Sequence, residues 1–278
     1  MNMELNELDK IADTLGDSVK MPVLFIGHGS PMNAIESNSF TQMLKRNGEL
    51  IKAKYQPKAV LVVSAHWLTN GTFVNNVARP QTIHDFGGFP QALFDMQYPA
   101  PGAPELAKEV AMLSEAIIET DDWGLDHGAW TVLHHLFPEA DIPSFELSID
   151  YYRPMEYHLE LADQLKKLRQ KGVLIIGSGN IVHNLRMSMG KMQQNDKNPY
   201  EWATEFDYWV KNNLEKGDYS ALANYSTTGQ AGLLSVPTPD HYIPILYTVG
   251  LADKQDPIKQ LHEEVYYGGL SMRTFQVG

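Results

Sequence analysis

Three continuous apolar runs rich in β-branched residues, at 22–27, 58–65 and 173–177, limit the fold of this chain more than any other feature. They are short, and too uniformly apolar for strands with one wet face. They therefore read as strands covered on both sides, as in a parallel sheet flanked by helices. Each leads to a histidine: Val23-Leu-Phe-Ile-Gly-His28, Ala59-Val-Leu-Val-Val-Ser-Ala-His66 and Val173-Leu-Ile-Ile-Gly-Ser-Gly-Asn-Ile-Val-His183. Open parallel sheets bind ligands outside the carboxyl ends of their strands, so these imidazoles are placed to converge on one point.

The rest of the pattern alternates with these strands. Residues 142–149 form a fourth candidate strand, whose partial alternation suits a position closer to the sheet edge. Leu106, Val110, Leu113 and Ile117 repeat at helical spacing after Pro104, and Leu161, Leu165 and Leu168 do so before Gly172. Trp202, Phe206, Trp209, Val210 and Leu214 mark a third amphipathic helix, and 242–251 a mostly apolar last one. The alternation predicts an α/β fold: a single-domain three-layer α/β/α sandwich with a mostly parallel central sheet. Residues 1–20, with Leu5, Leu8, Ile11 and Leu15, read as an N-terminal arm or short helix, and 21–278 as the domain. Segments 80–104 and 187–200 read as long loops; the first, with His84, Asp85, Phe86 and Phe89, is the candidate wall or lid of a site.

Composition removes several function classes. A formal net charge of -12 argues against nucleic acid and anionic membrane surfaces, which are bound chiefly through Lys and Arg, and favours a small-molecule substrate. No apolar stretch approaches the roughly 20 residues of a bilayer span. The start of the chain carries Glu4, Glu7, Asp9, Asp13 and Asp17, unlike a signal peptide, so a cytoplasmic location is expected. With no cysteine, disulfides, thiolate metal sites and cysteine nucleophiles are excluded, and any metal must be held by histidine and carboxylate.

The ten histidines differ in promise. His28 lies in a glycine-flanked turn directly after a strand, where the backbone can approach a ligand closely. His66 follows the next strand with the same polarity. His183 follows the third after a Gly-Ser-Gly turn, which lacks the lysine of a phosphate-binding loop. His127 is glycine-flanked ahead of an apolar helical stretch. His241 sits near the N-terminus of the last helix, where the dipole favours a neutral imidazole. His134 and His135 read as packing or surface positions, and His158 and His262 as solvated; His84 is as compatible with substrate contact as with a structural hydrogen bond. Several neutral nitrogens and no sulfur suit zinc, iron(II), copper or nickel better than magnesium or calcium. A zinc-dependent hydrolase, an iron(II) oxygenase and a non-catalytic metal-binding protein all stay open at this level, without an HExxH helix to favour the first.

Seven motifs together carry a resemblance: Gly27-His-Gly-Ser-Pro-Met-Asn33, Ser64-Ala-His-Trp67, Ile83-His-Asp-Phe-Gly-Gly-Phe-Pro90, Tyr98-Pro-Ala-Pro-Gly102, Asp126-His-Gly-Ala-Trp130, Gly177-Ser-Gly-Asn180 with His183-Asn184, and Pro237-Thr-Pro-Asp-His-Tyr242. In this order the chain resembles the bacterial and plant 4,5-DOPA extradiol dioxygenases, members of the class III extradiol ring-cleaving group related to protocatechuate 4,5-dioxygenase catalytic subunits. The resemblance implies one divalent metal per chain, Zn2+ as found and Fe2+ for ring cleavage, with a catechol and O2 as substrates, in a monomer or small homo-oligomer. It implies metal binding by His28, His66 and His241, with His183 a fourth ligand or an acid/base, and His127 an acid/base or substrate contact. More distant class III enzymes place a Glu where this branch offers His241. Trp67, Phe86, Phe89 and Trp130 are candidate walls for the ring, and His84 a candidate substrate contact.

Overall fold

The computed structural model describes residues 19–278; the expected N-terminal arm lies outside the described residues but for its last two positions. Ten strands are present among them: β1 Val23–Gly27, β2 Ala59–Thr69, β3 Thr72–Asn75, β4 Ile117–Thr120, β5 Ser144–Asp150, β6 Val173–Gly179, β7 Ile258–His262, β8 Val265–Tyr266, β9 Leu270–Ser271 and β10 Thr274–Val277. Eight form one mixed sheet in the order β4-β3-β5-β2-β6-β1-β10-β7, and β8 pairs with β9 apart from it. The four central strands, β5, β2, β6 and β1, run parallel. β10 flanks β1 and β3 flanks β5 antiparallel.

The helices are α1 Ser39–Tyr55, α2 Gln91–Phe94, α3 Pro104–Leu113, α4 His127–Leu136, α5 Met155–Gln164, α6 Leu185–Gln193, α7 Glu201–Lys216, α8 Tyr219–Ala223, α9 Gln230–Ser235 and α10 Ile243–Gly250. They cover both faces, as double-sided burial of the strands requires. Val23, Phe25, Leu61, Val63 and Ile175 enter one apolar cluster with Leu106 of α3, Leu161 of α5, Phe206 of α7 and Ile245 of α10. Their neighbours Leu24, Ile26, Val60, Val62 and Ile176 enter a second, with Phe40 and Leu44 of α1 and Trp130 and Leu133 of α4. The period-two alternation of side chains thus feeds two cores from the same strands, giving three layers.

The structure corrects or refines four expectations. β5 lies nearer a sheet edge than β2 and β6, but it is paired on both sides and buried throughout, so its alternation marks no wet face. Its alternate polar residues face protein partners rather than water: Glu146 accepts a hydrogen bond from Asp126 N (2.7 Å), and Ser148 Oγ accepts one from Phe73 N (2.8 Å). Ile117 belongs to β4, since α3 ends at Leu113. Segment 187–200 is helical at its start, where Asn184 caps α6 by accepting from Met187 N. Gly177, Ser178 and Gly179 are the buried end of β6, not a turn.

Candidate metal centre

Strand register brings the histidines to one edge. Gly27 of β1 lies opposite Gly179 of β6, and Ser64 of β2 opposite Ser178, so the three strands reach the same level together. His28 follows at once and donates its backbone N–H to Gly179 O at 3.0 Å. β2 does not stop there. It runs on to Thr69, but its pairing with β5 slips between Val63 and Leu68, and that irregular stretch carries His66, which therefore lies within the strand rather than after it. His127 is the first residue of α4, behind the N-cap Asp126. Its neighbour Gly128 leaves room for the site: a Cβ there would come within 2.9 Å of the His66 ring.

His241 is held two residues ahead of α10, where Asn180 N donates to its carbonyl at 2.8 Å. This close approach depends on Gly179, because a Cβ at that position would sit 2.2 Å from the same carbonyl oxygen. Gly179→Ala is therefore expected to push His241 off its position and lower metal affinity by roughly the 10–100-fold typical of a disturbed supporting shell. Metal titration of the purified variant, with circular dichroism as the folding control, checks this.

The five rings form one connected group. His28 lies 5.1 Å from His66, 5.8 Å from His127 and 5.3 Å from His241 between ring centroids. His66 lies 3.8 Å from His127 and 4.9 Å from His241, and His183 stacks on His241 at 3.5 Å. Two tighter sets stand out within it: His28, His66 and His127, and His183, Asp240 and His241, each with ligand atoms within 4.8 Å of one another.

Hydrogen bonds on the outer nitrogens define which way each ring presents itself. Ser178 Oγ donates to Gly128 O at 2.5 Å, so toward His28 Nδ1, 2.9 Å away, it acts as acceptor. His28 therefore carries its proton on Nδ1 and leaves Nε2 as a lone pair. Asp85 does the same for His127, accepting from Nδ1 and from the backbone N–H at 2.9 Å each. Its Oδ2 is also 3.5 Å from His66 Nδ1. Asp240 accepts from Nδ1 of His241. Imidazoles backed by carboxylates or hydroxyls in this way are the usual ligands of a metal ion.

The inner nitrogens test that fit. His28 Nε2 and His66 Nε2 are 3.2 Å apart. Two nitrogens bound to one tetrahedral ion at ~2.0–2.1 Å stand roughly 3.3 Å apart, so the observed separation suits a shared cation. A proton on His66 Nε2 could bridge them only by turning its Nδ1 lone pair toward the Asp85 carboxylate. The donor set thus fits a borderline divalent metal.

Burial, and then the charge of neighbouring imidazoles, pushes His28 and His66 well below the ordinary histidine range, which keeps both neutral. His183 is pushed down to about 2, by burial first and then by His241. Burial alone would raise Asp85, but the His127 hydrogen bond and charge outweigh it and hold the carboxyl below its usual range. Asp240 is likewise depressed, with burial opposing and His241 outweighing it. Neutral nitrogens inside an ionised carboxylate shell are what a metal dication requires.

The remaining expected site residues lie around this group or away from it. Segment 80–104 does wall the site, bringing Phe86 to 5.6 Å from His127. Phe89 packs on Phe86, one ring further out. His84 points to Met96 O at 3.0 Å and lies 5.6 Å from the Trp130 ring, and Trp67 stacks on Trp123; neither makes a ring contact with the five histidines. His158 is fully buried, bonded through Nδ1 to Tyr247 OH at 3.2 Å, with burial pushing it down to about 4. His262 lies in β7 against Phe40, its side chain 8% exposed. Neither is solvated, although Glu264 lies 3.8 Å from the His262 ring. His135 is buried and His134 half-buried, as packing positions. The orienting roles of Asp85, Asp240 and Ser178 went unread in the sequence. For the two carboxylates a signal existed, since each is adjacent in the chain to a histidine, in His84-Asp85 and Asp240-His241.

Comparison with known proteins places this geometry. Residues 22–277 match the family described as catalytic LigB subunit of aromatic ring-opening dioxygenase. The chain is 45% identical over 274 residues to 4,5-DOPA dioxygenase extradiol of Escherichia coli (strain K12), covering 96% of this chain and 98% of that one. It is 38% identical over 266 residues to the protein of the same name from Beta vulgaris, covering 94% and 97%. The crystal structure of an uncharacterized Escherichia coli K12 protein superposes with a TM-score of 0.79 at 40% identity, over 93% of this chain and 100% of that one. Among the described residues no helix is long and apolar enough to cross a membrane.

Proposed function

Because the chain belongs to the family of catalytic LigB subunits of aromatic ring-opening dioxygenases, we infer that it is a metal-dependent extradiol dioxygenase acting on a catechol such as L-DOPA. In that reading both atoms of O2 enter a muconic semialdehyde formed by 4,5-cleavage. The observation that carries it is the pair of facing Nε2 atoms of His28 and His66, 3.2 Å apart, with Ser178 bonded to His28 Nδ1 and the Asp85 carboxylate 3.5 Å from His66 Nδ1.

In this reading His28, His66 and His241 hold the ion through Nε2, each oriented by its outer partner. Iron(II) bound there would supply Lewis-acid activation of the catechol hydroxyls and the redox chemistry that reaction with O2 requires. The chain supplies the proton handling. His127 offers a free Nε2 with the Asp85 carboxylate behind it, an arrangement that accepts a phenolic proton, stabilises the resulting imidazolium and returns the proton later. His183 is a poor base where it stands, since burial and His241 hold it neutral down to about pH 2. It serves instead as a neutral imidazole facing the substrate or the ion. Phe86 excludes water from the side of His127.

Anaerobic reconstitution with Fe(II) or Zn(II), followed by air and L-DOPA, tests the reading. Oxygen uptake with growth of a yellow semialdehyde is expected in the iron sample alone. Equal inactivity of both samples across a panel of catechols would overturn it.

A further inference from the structure

Beside the histidines lies a cavity of about 510 Å³, a size that suits a small organic ligand. His183 stands on one side of it. Leu185 and Arg186 in the first turn of α6, and Leu233 and Leu234 in α9, complete the walls used here. Leu185 and Leu233 are 48% and 61% exposed, so the cavity offers apolar surface still open to water. Arg186 is exposed and has no hydrogen bond or ion pair with any described residue. Lys191 in the same helix contrasts with it, tied to Asp196 at 2.6 Å and to Asn198 O at 2.9 Å.

Arg186 does nothing for its own helix, because a cation in the first turn opposes the helix dipole. The one acidic residue lining the cavity, Asp240, is already engaged by His241. A guanidinium without a partner among the described residues, lining the same cavity as a histidine of the site and three leucines, matches an aromatic ligand that carries a carboxylate on a short aliphatic stem.

We propose that this cavity takes the side chain of the catechol and that Arg186 is a specificity-determining residue, pairing with a carboxylate at the end of that side chain. The assignment rests on the ring-opening reading for the ring's position at the histidines. The stem lies against Leu185, Leu233 and Leu234, and the planar guanidinium receives the carboxylate through two parallel N–H donors. Such a charge-assisted pair corresponds to on the order of tenfold or more in affinity.

Binding without turnover separates the two claims. Calorimetry under nitrogen on Zn(II)-loaded protein would compare dihydrocaffeate with ethylcatechol, its analogue lacking the carboxylate. Wild type should bind dihydrocaffeate the more tightly. Arg186→Gln should lower that preference by roughly tenfold or more, and Arg186→Lys should restore part of it. A preference unchanged within about twofold in Arg186→Gln, or a wild type that binds both ligands equally, would overturn the assignment. Air is then admitted to the Fe(II) form. If the preference holds but no ring is opened, the dioxygenase reading falls and the carboxylate role of Arg186 stands.

Discussion

Replacing His28 with alanine should yield a folded protein that no longer retains a metal ion and no longer opens catechol rings. His28 is the best-fixed nitrogen of the group. It is 2% exposed, its backbone is bonded to Gly179 and its tautomer is set by Ser178. Loss of one of three nitrogens from a site with neutral ligands removes a large part of the binding free energy, and His66 Nε2 loses the neighbour 3.2 Å away that makes the pair chelating. Elemental analysis after gel filtration should fall from about one ion per chain to background, with oxygen uptake below detection. His66→Ala should behave alike. Retention of the full metal content by either variant would remove that residue from the ligand set.

His127→Ala is expected to do the opposite: metal content near wild type, with turnover lower by about 10²–10⁴-fold, the range for loss of a positioned acid/base. The contrast has force because His127 lies in the same tight group as His28 and His66, while His241 lies with His183 and Asp240. Proximity alone would make His127 a ligand. Its outer nitrogen, however, shares Asp85 with His66, which suits a ring that must carry charge transiently. Single-turnover kinetics on the iron-loaded variant, beside metal analysis, reads both quantities. If the ion is lost as completely as in His28→Ala, the roles of His127 and His241 are exchanged.

Much of the architecture was legible in the chain because β1, β2 and β6 are buried on both faces, and that demand leaves an unbroken apolar run. The complete burial of β5 was not legible, for the converse reason. Its Glu146 and Ser148 look like a wet face until the residues that donate to them, Asp126 at the N-cap of α4 and Phe73 of β3, are in place. Helix α6 was missed because it exposes Leu185 and Met189 and buries Ser188, inverting the usual amphipathic pattern. Of the histidines, those beside tight backbone contacts stood out, since glycines at positions 27, 128 and 179 mark where chains approach closely. His158 gave no such sign: its burial depends on where α10 docks, which no local pattern records. The position of His66 depends on an irregularity in strand pairing, and a strand's sequence does not announce where it will slip.

The level ending of β1 and β6, Gly27 opposite Gly179, also bears on how such a chain can change over generations. One residue gained or lost within β1 would shift His28 by about 3.3 Å along the strand. It would also send Val23 and Phe25 into the helical layer that now receives Leu24 and Ile26. Divergence in length is thereby channelled into the connections between elements, and descendants of this sequence inherit a β1 whose residue count is as constrained as its histidine.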